Sequence, residues 1–227
     1  MRCLPWPRAA STSCTRCRRR RSPSESRRVR VVLATGNAGK VREFAEMLAP
    51  LDLQFVAQGA LGIESAEETG QTFADNALLK ARHAAARSGL PAMADDSGLE
   101  VDALGGAPGV YSARYAGPEA DDVANIIKLL AALADVRAEA RRARFRCVIA
   151  FVRDADDPHP VFGTGSWEGT ILTAPRGAGG FGYDPVFAPL DAAGASVAEL
   201  EAARKHAASH RGQALRDLLR RLPRASA

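Results

Sequence analysis

The stretch Val29–Lys40, which reads V-R-V-V-L-A-T-G-N-A-G-K, decides the fold. Val29 to Ala34 is an apolar run typical of a buried strand, and Thr35-Gly36-Asn37 after it is a turn signal. From Lys40 onwards the pattern changes to helical spacing, with one apolar stripe formed by Val41, Phe44, Ala45 and Leu48. A strand, a short loop and a helix in this order predict the first unit of an α/β domain.

The rest of the chain alternates strand-like and helix-like segments, which predicts an α/β class with a mixed sheet. Thr72 to Asp75 is a capping signal for a helix that continues to about Ser88, where Gly89 and Pro91 stop it. The other predicted strands are Leu53–Ala57, Pro91–Ala94, Leu99–Leu104 and a hairpin of Arg144–Arg153 with Val161–Ile171. The remaining predictions are a turn at Asp95–Gly98, helices at Asp121–Leu133 and Lys205–Leu222, and no helix from Thr173 to Pro189.

The net charge of +5 is unevenly distributed along the chain. Residues 1–28 hold nine of the 31 basic residues and one of the 26 acidic ones, which leaves 22 basic and 25 acidic residues in the body. Because the body is mildly acidic, a nucleic-acid partner finds no support there. The 46% hydrophobic content fits a globular protein, and no apolar run approaches the roughly 18 residues of a membrane span.

Residues 1–28 are rich in Arg, Ser and Pro and show no apolar periodicity. They lack the apolar stretch of a secretory signal. Their composition resembles a transit peptide, but Pro5, Pro7 and Pro23 oppose the amphipathic helix that such a peptide needs. We interpret this segment as a disordered basic extension, or as sequence translated upstream of the true start, and residues 29–227 as one domain.

The cysteines divide in the same way as the charge. Cys3, Cys14 and Cys17 lie in the basic extension, and Cys147 lies in an apolar run of the body. One cysteine cannot form a disulfide framework, so the body is predicted to be a reduced, cytoplasmic protein. Cys14 and Cys17 have the spacing of half a zinc site, but no second Cys/His pair matches them.

The loop Thr35–Lys40 has the features of an anion site. A helix N-terminus offers unpaired N–H groups, and Gly36 and Gly39 let the backbone approach an anion. Lys40 adds a full positive charge. The spacing fits neither a Walker A loop nor a dinucleotide fingerprint, and an ordinary tight turn with an exposed lysine is the alternative.

Two acidic pairs suggest a metal site. Asp95 and Asp96 follow a predicted strand, and Glu67 and Glu68 lie in the loop after the second strand. Adjacent carboxylates repel each other unless a cation lies between them, and Mg²⁺ is commonly held by one or two carboxylates with phosphate oxygens and water. Solvated loop charge is the alternative for either pair.

Two further segments suggest a nucleotide pocket. Lys205 and Ser209 share a helix face, whereas Arg211 is predicted to point elsewhere on that helix. Gly179–Pro185, G-G-F-G-Y-D-P, predicts an exposed ring beside a carboxylate, which suits stacking on a base. A basic helix face and a glycine-rich connection are the alternatives.

Seven motifs in this order resemble the inosine/xanthosine triphosphate pyrophosphatase family. They are T-G-N-A-G-K, S-A-E-E-T-G-Q-T-F, N-A-L-L-K-A, A-D-D-S-G, G-G-A-P-G-V-Y-S-A-R-Y, G-G-F-G-Y-D-P and S-H-R-G-Q-A-L. The resemblance runs from about Val29 to Leu222. It implies an elongated mixed sheet in two lobes flanked by helices, with the nucleotide in the cleft between the lobes. It also implies a Mg²⁺-dependent homodimer that hydrolyses dITP, ITP and XTP to the monophosphate and pyrophosphate, which keeps these bases out of DNA and RNA.

The resemblance also implies roles for individual residues. Asp96 would be the general base and would hold the metal together with Glu67. The residues implied to bind substrate are Thr35, Gly36, Asn37, Ala38, Gly39, Lys40, Ser97, Phe181, Gly182, Tyr183, Asp184, Lys205, His210 and Arg211.

The chemistry of the reaction agrees with these roles. Attack by water on the α-phosphorus needs a base, a metal and cations on the leaving pyrophosphate, and Lys40, Lys80 and Lys205 would supply the cations. Arg211 would donate to the C6 oxygen of hypoxanthine or xanthine and be left unpaired against the amine of adenine. A non-catalytic nucleotide sensor would not need the carboxylates, and a nucleic-acid-binding module would rest on the basic extension alone.

Overall fold

The computed structural model describes residues 29–49 and 54–222. The predictions for residues 1–28 and for the start of the second strand at Leu53 lie outside these residues. In chain order the strands are β1 (Arg30–Leu33), β2 (Gln54–Ala57), β3 (Ala92–Val101), β4 (Arg142–Val152), β5 (Val161–Ile171) and β6 (Phe187–Pro189). The α-helices are α1 (Ala38–Leu48), α2 (Phe73–Ser88), α3 (Asp122–Ala132), α4 (Ala202–Ala208) and α5 (His210–Arg221).

The described residues form one six-stranded mixed sheet in the order β2-β1-β3-β4-β5-β6. Strands β2, β1 and β3 are parallel, and the strands from β3 to β6 are antiparallel. The predicted α/β class with a mixed sheet is therefore confirmed. Strand β3 belongs to both the parallel and the antiparallel part, so residues at its centre lie where the two parts meet.

Most of the predicted elements agree with the structure. Helix α2 begins after Thr72, whose side chain accepts from the backbone N–H of Asp75 at 3.1 Å, and it ends at Gly89 in the left-handed conformation. Helix α3 and the hairpin of β4 and β5 also lie within two residues of their predicted bounds. These elements carry local signals, namely caps, glycine stops and long apolar periodicity, that act independently of the tertiary fold.

Helices cover both faces of the sheet. On one face α2 packs through Ala77, Ala81 and Ala84, each fully buried. On the other face α1 and α5 pack through residues such as Phe44 and Leu218. Each such buried large side chain contributes about 1.5–3 kcal/mol of transfer free energy. None of the helices in the described part of the chain combines the length and the apolar character needed to cross a membrane.

The predicted turn at Asp95–Gly98 is wrong, because Ala92–Val101 is one continuous strand that pairs with β4 along its whole length. Gly98 is needed for close packing and not for a turn. A Cβ atom there would lie 2.3 Å from the carbonyl oxygen of Gly109 and 2.5 Å from the hydroxyl of Ser112. The glycine therefore allows a 3₁₀ segment to approach the strand closely.

The predicted single helix from Lys205 to Leu222 is also wrong. It is divided into α4 and α5 at Ser209, whose backbone is extended, with ψ at 155°. The Ser209 side chain accepts from the backbone N–H of Gly212 at 3.1 Å and so caps α5. Because the chain changes direction at this cap, Arg211 lies close to the group that Lys205 contacts, contrary to the prediction that it points elsewhere.

Candidate active site

A cavity of about 430 Å³ opens beside the carboxyl end of β1 and the centre of β3. This volume lies within the range of small-molecule sites, roughly 300–1,000 Å³. The residues from the sequence predictions that line it are Thr35, Gly36, Asn37, Lys40, Asp96, Ser97, Phe181, Gly182, Tyr183, Asp184, Lys205, His210 and Arg211. Motifs that are up to 176 positions apart in the chain therefore meet around one cavity.

The loop after β1 is organised by its own side chains. Asn37 caps α1 by accepting from the backbone N–H of Lys40 at 3.1 Å, and Thr35 accepts from the N–H of Asn37 at 3.2 Å. A Cβ atom at Gly39 would lie 2.7 Å from the ring of Phe181. The glycine therefore lets the aromatic ring pack directly on the first turn of α1, and the phosphate-type loop and the ring form adjoining walls.

Asp95 lies on the face of β3 that α1 and α5 cover. Its carboxylate is 2.7 Å from Nζ of Lys40 and 3.6 Å from Nε of Arg211, and it accepts from the hydroxyl of Ser97 at 3.1 Å. Burial raises the pKa of Asp95, but the charges of Lys40 and Arg211 outweigh burial and hold that pKa well below its usual range. Asp95 is therefore a permanently charged anchor for two cations.

Asp96 lies on the opposite face of β3, against α2. Its two oxygens accept from Nζ of Lys80 at 2.8 Å and from the amide of Asn76 at 3.3 Å. Burial raises the pKa of Asp96 and the charge of Glu68 adds to the increase, so the pKa stays above the usual value although Lys80 opposes it. A carboxylate with a raised pKa, at the wall of a cavity, has the character of a proton acceptor.

A second buried charge network supports the aromatic loop. Nζ of Lys205 is 2.7 Å from Asp184 and 2.6 Å from Glu43, and Glu43 also bonds to Arg211. Asp184 in turn accepts from the backbone N–H of Phe181 at 2.9 Å. Lys205 and Arg211 lie 4.7 Å and 5.6 Å from the centre of the Phe181 ring. Two cations therefore lie against the Phe181 ring, which also lines the cavity, where an aromatic ring can stack on a base.

His210 and Tyr183 line the cavity in a different way. The His210 ring stacks on Phe145 with 4.7 Å between centroids, and burial lowers the pKa of His210 well below its usual value. The imidazole is therefore neutral at physiological pH. Tyr183 is buried, and its hydroxyl donates to the carbonyl oxygen of Ser112 at 2.9 Å. The predicted exposed ring is therefore wrong for both residues, because Tyr183 packs in the core and Phe181 is half-buried.

Three of the predicted site residues do not line the cavity, namely Ala38, Gly39 and Glu67. Glu67 is exposed, whereas its neighbour Glu68 lines the cavity and accepts from Lys80 at 2.7 Å and from Arg114 at 3.2 Å. The predicted acidic pair of this loop therefore contributes one carboxylate to the site, and it is Glu68 that lies beside Asp96.

Several residues of the site were missed by the sequence predictions. Glu43 lies three positions after Lys40 on α1, and Asn76 lies four positions before Lys80 on α2. Residues at these spacings share a helix face, so the helical period could have found both. Arg114 and Asp122 offer no such signal, because they reach the site from segments whose positions depend on the tertiary fold.

The carboxylates of Asp96 and Glu68 fit a divalent cation that completes its coordination with substrate and water. Both accept from the same ammonium group, so one positive charge already lies between them. Within residues 29–49 and 54–222, no group of three or more His, Cys, Asp and Glu side chains is arranged to hold a metal ion. Mg²⁺ is usually held by one or two carboxylates together with substrate phosphates, which matches this donor set.

Comparison with known proteins places this chain in a group of related proteins. The sequence profile of the Ham1 family matches residues 31–221. The chain is 60% identical over 190 residues to the dITP/XTP pyrophosphatase of Yersinia pseudotuberculosis, a match that covers 84% of this chain and 96% of the relative. It is 59% identical to the protein of the same name from Escherichia coli, with the same coverage.

Solved structures give the same result for the fold. A HAM1 protein from Coxiella burnetii superposes with a TM-score of 0.77 at 48% identity, covering 84% of this chain and 96% of that one. A dITP/XTP pyrophosphatase from Mycobacterium abscessus superposes with a TM-score of 0.67 at 41% identity, covering 84% and 99%. The similarity therefore extends over 84% of this chain and almost the whole length of each of the two solved structures.

Proposed function

The chain belongs to the Ham1 family, and we propose that it is a nucleoside triphosphate pyrophosphatase acting on aberrant purine nucleotides such as dITP, ITP and XTP. The products are the nucleoside monophosphate and pyrophosphate. Relatives at about 60% identity that are named dITP/XTP pyrophosphatase support this activity. Removal of such nucleotides keeps their bases out of DNA and RNA.

One observation carries the proposal most strongly, namely that three complementary surfaces surround a single cavity. The N-terminus of α1 with Lys40 suits the triphosphate, and the Phe181 ring suits the base. Asp96, in contact with Lys80, lines the same cavity. A nucleotide whose phosphates lie on α1 and whose base lies on Phe181 has its reacting phosphates in the part of the cavity that Asp96 lines.

Asp96 is the proposed general base. It would accept a proton from the water that attacks the α-phosphorus, while the bond from that phosphorus to the bridging oxygen breaks and pyrophosphate leaves. A raised pKa makes the carboxylate a better proton acceptor than an ordinary aspartate. Lys40 and Lys80 lie on the two sides of β3 at this point, where their charges can stabilise the leaving pyrophosphate.

The divalent cation is proposed to be Mg²⁺, held by Asp96 and Glu68. When bound, it would neutralise phosphate charge as the bond to the leaving group breaks. Glu67 remains the second ligand that the family resemblance implies, but its exposed side chain favours Glu68 for this position. The two neighbouring glutamates therefore make a matched pair for mutagenesis.

Selectivity for the base is proposed to depend on Lys205 and Arg211, which line the cavity next to Phe181. Lys205 and Arg211 present donors to the C6 oxygen of hypoxanthine or xanthine, which adenine replaces by an amine. A site whose buried donors lose their partner rejects the wrong base strongly. Arg211 is also bonded to Glu43 and Ser97, so these two residues fix the direction of its guanidinium group.

The family resemblance further supports a cytoplasmic homodimer that acts on free nucleotides, without nucleic acid or membrane. The remaining site residues, Ala38 and Gly39 included, would bind substrate through the backbone and the shape of the loop. The basic extension is not needed for this activity, so removal of residues 1–28 is expected to leave hydrolysis of dITP unchanged, whereas a nucleic-acid-binding module would lose its binding.

A panel of nucleoside triphosphates tests the proposal. With Mg²⁺ present, ITP, dITP and XTP are expected to release pyrophosphate, and ATP is expected to react at least roughly 100-fold more slowly. Binding of ITP without any hydrolysis would identify a nucleotide sensor instead. Release of orthophosphate as the first product would identify cleavage at the γ-phosphate and contradict the proposal.

A further inference from the structure

Lys80 lies between the two carboxylates that are proposed to bind the metal. Its Nζ atom is 2.7 Å from Oε1 of Glu68 and 2.8 Å from Oδ1 of Asp96. The Lys80 side chain is 12% exposed, and those of Glu68 and Asp96 are 26% and 7% exposed. One ammonium group therefore balances two carboxylates in a largely buried place, where charge–charge interactions are strong.

The remaining oxygens of the same carboxylates also have protein donors. Oε2 of Glu68 accepts from Arg114 at 3.2 Å, and Oδ2 of Asp96 accepts from the amide of Asn76 at 3.3 Å. Asn76 is itself fixed, since its side-chain oxygen accepts from the backbone N–H of Gly70 at 2.8 Å. Each of the four carboxylate oxygens thus accepts from one protein donor, so a cation that binds both groups must compete with donors already in place.

Lys80 is the donor with which such a cation would compete most directly. It is the one group among these donors that bonds to both carboxylates. A divalent cation and an ammonium group would repel each other strongly at this distance and depth. Lys80 extends from α2 on a flexible four-carbon chain, so its charge can move to another acceptor without movement of the helix. The phosphates of a nucleotide would supply that acceptor.

We propose that Lys80 is an internal counter-ion of the metal site, which holds Glu68 and Asp96 in place in the free protein and competes with the divalent cation for them. This inference rests on the proposed function, because it takes the nucleotide phosphates as the second acceptor for Lys80. It has two consequences. Metal binding without nucleotide is weak, because Lys80 then stays bonded to both carboxylates. Metal and nucleotide bind with positive cooperativity, because the phosphates give Lys80 another acceptor.

Direct binding of Mn²⁺ in place of Mg²⁺ tests the competition without any measurement of activity. Titration calorimetry and the paramagnetic resonance signal of free Mn²⁺ are used on the full chain without nucleotide. Lys80→Met removes the charge and is expected to tighten Mn²⁺ binding roughly tenfold or more, because repulsion from a nearby buried charge is lost. Lys80→Arg keeps the charge and is expected to bind Mn²⁺ about as weakly as the wild type.

Two controls locate the effect. Lys128→Met removes one positive charge from an exposed position, where Nζ bonds to the carbonyl oxygen of Tyr115, and should leave Mn²⁺ affinity unchanged. The double variant Lys80→Met with Asp96→Asn should lose the gained affinity, since one of the two carboxylates no longer carries charge. A gain that survives in the double variant would place the ion elsewhere and overturn the proposal.

The neutral variants also place two buried carboxylates together without a cation, which destabilises the metal-free protein. Lys80→Gln keeps hydrogen-bond donors and serves where Lys80→Met does not fold. Addition of Mn²⁺ should then raise the melting temperature of the neutral variant more than that of the wild type. If neither neutral variant folds even with Mn²⁺, or if both bind Mn²⁺ no more tightly than the wild type, Lys80 is not a competitor of the metal.

The failure of this inference and that of the proposed function give different results. If the wild type with ITP binds no divalent cation and releases no pyrophosphate, the proposed function is wrong. If the wild type binds Mn²⁺ and hydrolyses ITP, and Lys80→Met and Lys80→Gln show no gain in metal affinity, then only the counter-ion role of Lys80 is wrong.

Discussion

The two faces of strand β3 place the same kind of residue in opposite environments. Successive residues of a strand point to opposite sides of the sheet, so the adjacent Asp95 and Asp96 do not share surroundings. Asp95 meets two cations, Lys40 and Arg211, on the face covered by α1 and α5. Asp96 meets one cation, Lys80, which it shares with a second carboxylate on the face covered by α2.

The difference between the two faces separates an anchoring carboxylate from the proposed general base. Both carboxylates are buried, and burial alone raises the pKa of each. Two cations, Lys40 and Arg211, lie close to Asp95 and outweigh burial, so its pKa falls and its charge is permanent. On the Asp96 face Lys80 is divided between two carboxylates, so the pKa of Asp96 rises. Asp95 therefore anchors the cations, and Asp96 has the raised pKa that suits the proposed base.

The largest expected effect comes from Asp96→Asn, which removes the proposed base while keeping its shape. General base catalysis typically contributes roughly 10²–10⁴-fold, so kcat for pyrophosphate release from ITP should fall by that factor. Nucleotide binding should remain, as measured by calorimetry. Stability in urea should be unchanged or higher, because the charged form of Asp96 is unfavourable in its buried place. Wild-type turnover would show that Asp96 is not the base.

Asp95→Asn should have the opposite pattern, in which the main effect is a decrease in the free energy of unfolding. Lys40 would lose its carboxylate and Arg211 would keep only Glu43, and a broken buried ion pair costs about 3–5 kcal/mol. Urea unfolding at neutral pH measures this loss. Because the pKa of Asp95 is lowered in the folded state, its contribution is present above the unfolded pKa and is lost as pH falls through the folded one. A loss below about 1 kcal/mol would remove the distinction between the two faces.

A smaller effect is expected from the two glutamates near the Asp96 face. Glu68→Gln should weaken activity with Mg²⁺ about 10- to 100-fold, in line with the loss of one group that holds or orients a metal ion. Glu67→Gln serves as the matched control, because its side chain is exposed and lines no part of the cavity. It should stay within about twofold of the wild type, in keeping with an ordinary surface substitution. The reverse result would restore Glu67 as the second ligand.

The smallest expected effect is a displacement of the pH profile. The base must be ionised, so kcat/KM for ITP should fall as pH decreases through the pKa of Asp96 in the free enzyme. Since that pKa is raised, the acidic limb should lie above the ordinary aspartate value of 3.8. A limb at or below that value, in a pH range where the protein remains folded, would mean that Asp96 is not the titrating group.

The sequence predictions succeeded where local signals decide the structure. Thr72 and Gly89 bound α2 as predicted, because a cap and a left-handed glycine act within one turn. The same reasoning failed at Gly98. That glycine is required by the approach of the segment that contains Ser112, 14 positions later, and this contact cannot be predicted from local sequence.

The candidate site shows a similar limit. The alternation of faces along β3 follows from the strand period, but the predicted turn at Asp95–Gly98 concealed it. The helical spacing predicts Ser209 to be an interior helical residue, although serine is a favoured cap, and so it does not predict the return of Arg211 to the site. The choice between Glu67 and Glu68 depends on the path of a loop, for which neither residue type nor spacing gives a signal.

The position of water attack tests the central claim most directly. Hydrolysis of ITP with Mg²⁺ in water enriched in oxygen-18, followed by mass spectrometry of the products, shows which phosphorus is attacked. Attack on the α-phosphorus beside Asp96 predicts the label in the inosine monophosphate and none in the pyrophosphate. Label in the pyrophosphate, or products of nucleoside diphosphate and orthophosphate, would contradict it.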